Sequence, residues 1–173
     1  MNSSPSSADA KPSVGNARSS ARLAAVQALY EMDMVGVGAD PVLEEFLKQR
    51  WTPKPGDETG DEDQGLSDII PPDGSFMAIL VRGVSENSQN LDDMIDKTLS
   101  DKWTVERLEV LLRAILRSGT FELLTLTDVP ARVIINEYVD VAKAFYEDTQ
   151  PGLINGVLDR LARTLRASEM DSD

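Results

Sequence analysis

From about residue 17 to 35, Leu23, Val26, Leu29, Tyr30 and Met34 recur at three- and four-residue spacing, which places them on one side of an α-helix. Gly36 and Gly38 stop the pattern, and Asn16 or Ser19 is placed to cap its start. The period returns in Val42, Leu43, Phe46 and Leu47, where Asp40-Pro41 reads as an N-cap followed by proline at the first helical position. Phe76, Ile79, Leu80, Gly83, Val84, Leu91, Ile95 and Leu99 predict one long helix or two in line. Val105, Leu108, Leu111, Leu112, Ile115, Leu116, Leu123 and Leu124 predict another, rich enough in Leu to be central. Asp128-Val129-Pro130 caps a segment whose inner face is Val133, Ile134, Tyr138, Val141 and Phe145. Thr149 and Pro151 open a last helix with Leu153, Ile154, Val157, Leu158, Leu161 and Leu165 turned inward. No segment alternates with a period of two. The predicted fold is therefore all-α, a compact bundle of six to seven helices.

Two stretches fall outside this periodicity. Residues 1–15 are rich in Ser, Pro and Ala and predict a disordered tail. Residues 52–74, "TPKPGDETGDEDQGLSDIIPPDG", combine four prolines, four glycines and a block of acids, with only Leu66, Ile69 and Ile70 to bury. The expected organisation is one helical domain over 16–173 carrying an acidic loop insertion. "DEDQG" at 61–65 begins like a calcium loop, but its glycine is misplaced and the twelfth position is Pro72 instead of Glu.

The composition narrows the chemistry. The 173 residues contain neither cysteine nor histidine. Disulfides and thiolate metal sites are thereby excluded, and so are the nucleophile designs that rest on a histidine base. The paired carboxylates Asp92-Asp93 and Glu147-Asp148 are neighbours in sequence and diverge by about 100° on a helix, a poor acid–base couple. No cofactor and no enzymatic activity are expected. The N-terminus lacks the apolar core of a secretory signal, and no apolar run approaches the roughly 18 residues of a membrane span, so the expected location is the cytoplasm.

The net charge of −13 is unevenly placed. Residues 40–74 hold ten acids against Lys48, Arg50 and Lys54, whereas residues 1–30 hold Lys11, Arg18 and Arg22 against Asp9. An acidic chain thus begins with a locally positive segment, the usual sign preference of a polyanion contact. Arg113 and Arg117, four apart on the Leu-rich helix, read instead as buried ion-pair partners of Glu122 or Glu137.

Three stretches together are similar to one family. "ARLAAVQALYEMD" resembles the first helix of the NusB family of transcription antitermination factors. "RAILRSGTFELLTLTDVPARVIINEYVDVAKAFYED" resembles its central block, and "GLINGVLDRLAR" its last helix. The resemblance covers about 20–166 apart from the acidic insertion. It implies a fold of two three-helix bundles, and single-stranded boxA-type RNA as ligand. It also implies a heterodimer with NusE, the ribosomal small-subunit protein, acting on the RNA polymerase elongation complex in ribosomal RNA operons. Related domains occur fused to RNA cytosine methyltransferases, and none is expected within 173 residues. By the same resemblance RNA meets Arg18 and Arg22, with Ser19-Ser20-Ala21 standing where some relatives carry more arginines. Phe145 matches an aromatic position near the RNA, and Leu153 a position that is usually Phe. Glu106 and Glu109 are candidates for the NusE surface. A homodimer of the free protein, as in some relatives, and a helical interaction module that has lost RNA binding are the alternatives kept open.

Overall fold

The computed structural model describes residues 14–50 and 72–172; residues 1–13 of the predicted tail, the calcium-like run at 61–65 and Leu66, Ile69 and Ile70 lie outside them, while Val14 and Gly15, expected in the tail, belong to the first helix. The described residues form seven helices: α1 (Val14–Val35), α2 (Ala39–Glu45), α3 (Gly74–Asp96), α4 (Val110–Thr125), α5 (Ala131–Phe145), α6 (Gln150–Leu165) and α7 (Ala167–Met170). A single wider turn, Phe46–Arg50, extends α2, and a 3-10 turn, Val105–Arg107, leads into α4. The all-α expectation is met, with no strand among the described residues. Helices α1, α2 and α3 form one three-helix group and α4, α5 and α6 the other. α4 is the shared element, because it also packs against α1 and α3.

The local signals worked in part. Gly36 has φ of +76°, in the left-handed region that glycine enters without a Cβ clash, and its N–H bonds Met32 O to close α1. α2 departs from expectation: Gly38 is its N-cap, and Asp40 and Pro41 lie inside the first turn. Phe76 to Asp96 is one helix, its start held by Asp73, whose carboxylate accepts from Phe76 N at 3.1 Å. The Leu-rich stretch is interrupted at Leu108, so that Val105 and Leu108 pack from the lead-in turn. Asp128 makes no cap bond. The first N–H of α5, on Ala131, is met instead by Glu169 Oε2 at 3.0 Å, reaching across from α7.

The core runs through both groups. Leu80, Leu91, Ile95, Ile115, Leu116, Leu123, Ile134, Ile154 and Leu158 are essentially fully buried. Two close approaches set the packing around α4. A Cβ on Gly83 would lie 2.1 Å from Phe121 Cζ, and one on Gly119 would lie 2.8 Å from a Leu158 methyl, so a side chain at either position would force its neighbour to move. The corner between α4 and α5 is closed by Arg166, which is 7% exposed. Its guanidinium donates to Leu123 O at 2.8 Å and Leu126 O at 2.6 Å, and also reaches Glu122 O and Val129 O. One buried cation thereby caps two of the C-terminal carbonyls of α4, where the helix dipole also favours it, and ties two carbonyls of the following connection to the same point.

Candidate nucleic-acid and partner interfaces

At the start of α1 the two arginines predicted for RNA contact have different environments. Arg22 is 3% exposed. Its Nε and Nη2 donate to the two oxygens of Glu122 on α4, at 2.8 and 2.9 Å, in a bidentate pair. The hydroxyl of Tyr138, on α5, donates to the same carboxylate, and Glu137 lies 3.6 Å from Arg22 Nη1. Burial alone would lower the guanidinium pKa, but the Glu122 hydrogen bonds and charge outweigh it and hold it above the ordinary value. The Tyr138 hydroxyl is pushed well above its usual range, first by burial and then by Glu122. Ser19, expected as a cap, instead donates to both Glu137 oxygens at 3.0 and 2.8 Å. Arg22 therefore ties α1 to α4 and α5, and its side chain is withdrawn from the surface where an RNA contact needs it.

Arg18, one turn earlier, is half-buried and makes no ion pair among the described residues. Its guanidinium carbon stands 4.9 Å from the Phe76 ring centroid, and that of Arg22 stands 5.1 Å from the same ring. Arg18 Nε has no hydrogen-bond partner among the described residues. Arg113 and Arg117 are not the partners of Glu122 and Glu137. Arg117 instead grips Asp92 through two 2.7 Å bonds and reaches Asp33 at 3.1 Å, with Arg113 4.0 Å from Asp33.

The other predicted residues lie elsewhere. Tyr30 is twelve residues further along α1 than Arg18, about 18 Å at 1.5 Å per residue. There Tyr30, Met34 and Val35 line an open groove of about 470 Å³ with Leu111 and Phe145, and with Gln27 and Glu31 on its sides. Phe145 is 38% exposed and Met34 58%. Phe145 was expected on the inner face of its helix; it lines this groove, away from Arg18. At the neighbouring end of α4, Glu109 accepts from the Tyr146 hydroxyl at 2.7 Å. Burial, then the Glu109 bond and charge, push that hydroxyl above its usual pKa range. Glu106 is exposed on the lead-in turn, and Leu153 is 39% exposed on the first turn of α6, not turned inward. The predicted site residues are thus spread over at least two surfaces. Tyr30 and Met34 were read only as core spacing; their position at the edge of the apolar stripe was the available signal that they line a groove.

Among the described residues no group of three or more carboxylates is placed to hold a metal, and no helix is long and apolar enough to cross a membrane. The geometry defines a class of helical protein with a shared central helix, a charged helix start and an apolar groove.

Comparison with known proteins gives this class its family. The NusB family model matches residues 19–163, and the chain belongs to the NusB family. It is 46% identical to the transcription antitermination protein NusB of Caulobacter vibrioides, over 86% of this chain and 94% of that protein. Its identity to the protein of the same description from Bradyrhizobium sp. is 43%, over 90% of this chain and 86% of that one. Among solved structures, T. maritima NusB superposes with a TM-score of 0.66 at 32% identity, covering 84% of this chain and 90% of that one. A complex of the antitermination factors NusB and NusE with double-stranded RNA contains a similar fold, with a TM-score of 0.67 at 22% identity. That likeness covers 86% of this chain and 97% of that one.

Proposed function

We propose that this chain is a cytoplasmic transcription antitermination factor without catalytic activity. In this reading it binds boxA-type single-stranded RNA together with NusE and acts on the RNA polymerase elongation complex. The observation that carries the reading is the 46% identity to an antitermination protein over 86% of the chain, spanning both three-helix groups. The geometry supports a division of labour. Arg18 is the RNA-facing cation at the α1 start, and Arg22 holds that start in place from inside. The groove lined by Tyr30, Met34, Leu111 and Phe145 takes NusE, with Glu31 on its side and Glu109 at the neighbouring end of α4. An exposed apolar groove with acidic flanks suits a basic protein that inserts apolar side chains. Phe145 accordingly serves the protein partner, and Leu153 remains an exposed apolar contact for RNA.

The test is binding to a boxA-type RNA with and without NusE across a salt series. Binding is expected to tighten when NusE is added and to weaken with salt, by about 0.7 log units per log unit of salt for each phosphate neutralised. Absence of binding even with NusE would remove the RNA reading. One observation favours the alternative of an interaction module that has lost RNA binding, namely the complete internal neutralisation of Arg22. That alternative predicts intact NusE binding and no RNA binding. Phe145→Glu places a charge in the groove at an exposed position. It is expected to weaken NusE at least tenfold by calorimetry with little change in melting temperature; unchanged NusE affinity would move the partner off this groove.

A further inference from the structure

The connection between α3 and α4 carries a feature that neither the arginines of α1 nor the groove explains. Trp103 is 53% exposed at its centre. The backbone that presents it is well fixed: Trp103 N donates to Ser100 O at 2.8 Å, and Val105 N donates to Asp96 Oδ1 at 2.7 Å. Four exposed cations belong to the same place. Lys97 and Lys102 flank the turn in sequence, and Arg107 donates to Lys102 O at 3.3 Å. Arg160 reaches over from α6 to Thr98 O, also at 3.3 Å. None of the four makes an ion pair among the described residues. Over residues 96–107 the three bases are balanced by Asp96, Asp101 and Glu106, and Arg160 brings one further cation beside an Asp159 already paired with Arg163, in a chain of net charge −13.

We propose that Trp103, with Lys102, Arg107 and Arg160 around it, is a second contact for single-stranded RNA, in which a base stacks on the indole and the cations meet the flanking phosphates. The proposal rests on the RNA-binding reading above and extends it to a surface that reading does not use. A flat ring beside unpaired cations is the arrangement that binds unpaired bases without sequence preference. Its position also makes sense of Leu153. Arg160 lies seven residues, two turns, beyond Leu153 on α6, so the two share a face of that helix. A strand crossing Leu153 is led along α6 to the indole, which offers the aromatic surface that a leucine lacks. An acidic protein segment would satisfy the cations but has no use for an exposed indole, and the excess charge is small.

The experiment uses the full chain with Trp51→Phe, which leaves Trp103 as the only tryptophan, mixed with NusE and titrated with a ten-nucleotide single-stranded RNA. Indole fluorescence is expected to be quenched as RNA binds. Trp103→Ala is expected to weaken RNA binding between about five- and a hundredfold, with Trp103→Phe retaining most of the affinity and neither substitution changing NusE affinity or the melting temperature. The double change Lys102→Ala and Arg107→Ala should flatten the salt dependence by about 0.7 per charge removed. RNA binding without quenching, or with the same affinity in Trp103→Ala, overturns the proposal and leaves the RNA function standing. Polyglutamate quenching the indole as well as RNA does would overturn it in favour of an acidic peptide. No RNA binding in any mixture would overturn both.

Discussion

Arg22→Met should destabilise the protein by about 3–5 kcal/mol, because it leaves Glu122 buried and without its counter-charge. Glu122 has no exposed side-chain surface, and its remaining partner is the Tyr138 hydroxyl. That hydroxyl donates one bond where the guanidinium donated two and cancelled a charge. Urea unfolding should show the loss as a lower midpoint with an unchanged slope. Removing the buried carboxylate as well, in Arg22→Met with Glu122→Leu, should recover most of the stability, since packed apolar groups substitute well for a buried pair. A single-mutant loss below about 1 kcal/mol would show that the pair does not hold α1 in place. Arg18→Ala is the control. It is expected to lower RNA affinity while leaving the urea midpoint close to that of the unaltered chain.

The second large effect is expected at the opposite corner. Arg166→Met removes the donor that four carbonyls share at the corner between α4 and α5; Glu122 O and Leu126 O keep the backbone N–H of Leu126 and Val129, whereas Leu123 O and Val129 O lose the donor that Arg166 gave them. Each buried carbonyl left without a donor costs about 1–3 kcal/mol, partly recovered by water entry, so about 3 kcal/mol in total is expected. Hydrogen exchange should localise the damage to residues 123–131, where α4 ends and α5 begins. Uniformly faster exchange throughout the chain, with no excess at this corner, would refute the capping role.

The helices themselves were legible because the apolar period of 3.6 is a strong signal over fifteen or more residues. Which edge of each apolar stripe is buried was not. Ile79 and Leu124 were counted in apolar stripes and Val133 on an inner face; they are 51%, 38% and 44% exposed, because a stripe wider than the contact leaves its margin in solvent. Arg22 was singled out from the resemblance as an RNA contact, and the structure buries it against Glu122. Its spacing with Val26 and Leu29, four and seven residues on, already placed it on the core side of α1. Glu122 stands between Phe121 and Leu123 on a buried helix, a charge in a place that demands a counter-charge. Pairing the two required knowing that α4 runs antiparallel against α1, which periodicity does not reveal. The capping of α5 by Glu169 was invisible for the same reason, since 38 residues separate donor from acceptor.

The groove on α1 has one more consequence, for how the free protein behaves in solution. Two copies of this chain repel one another through thirteen net negative charges each, while Met34, Val35 and Phe145 gain by being covered. Added salt screens that repulsion and leaves the apolar attraction in place, so light scattering of the free protein is expected to show more self-association at higher salt; in the proposed RNA complex the same salt weakens the hold on the phosphates. On the proposed function, ionic strength is therefore expected to push the two surfaces of this molecule in opposite directions, toward its own kind and away from nucleic acid.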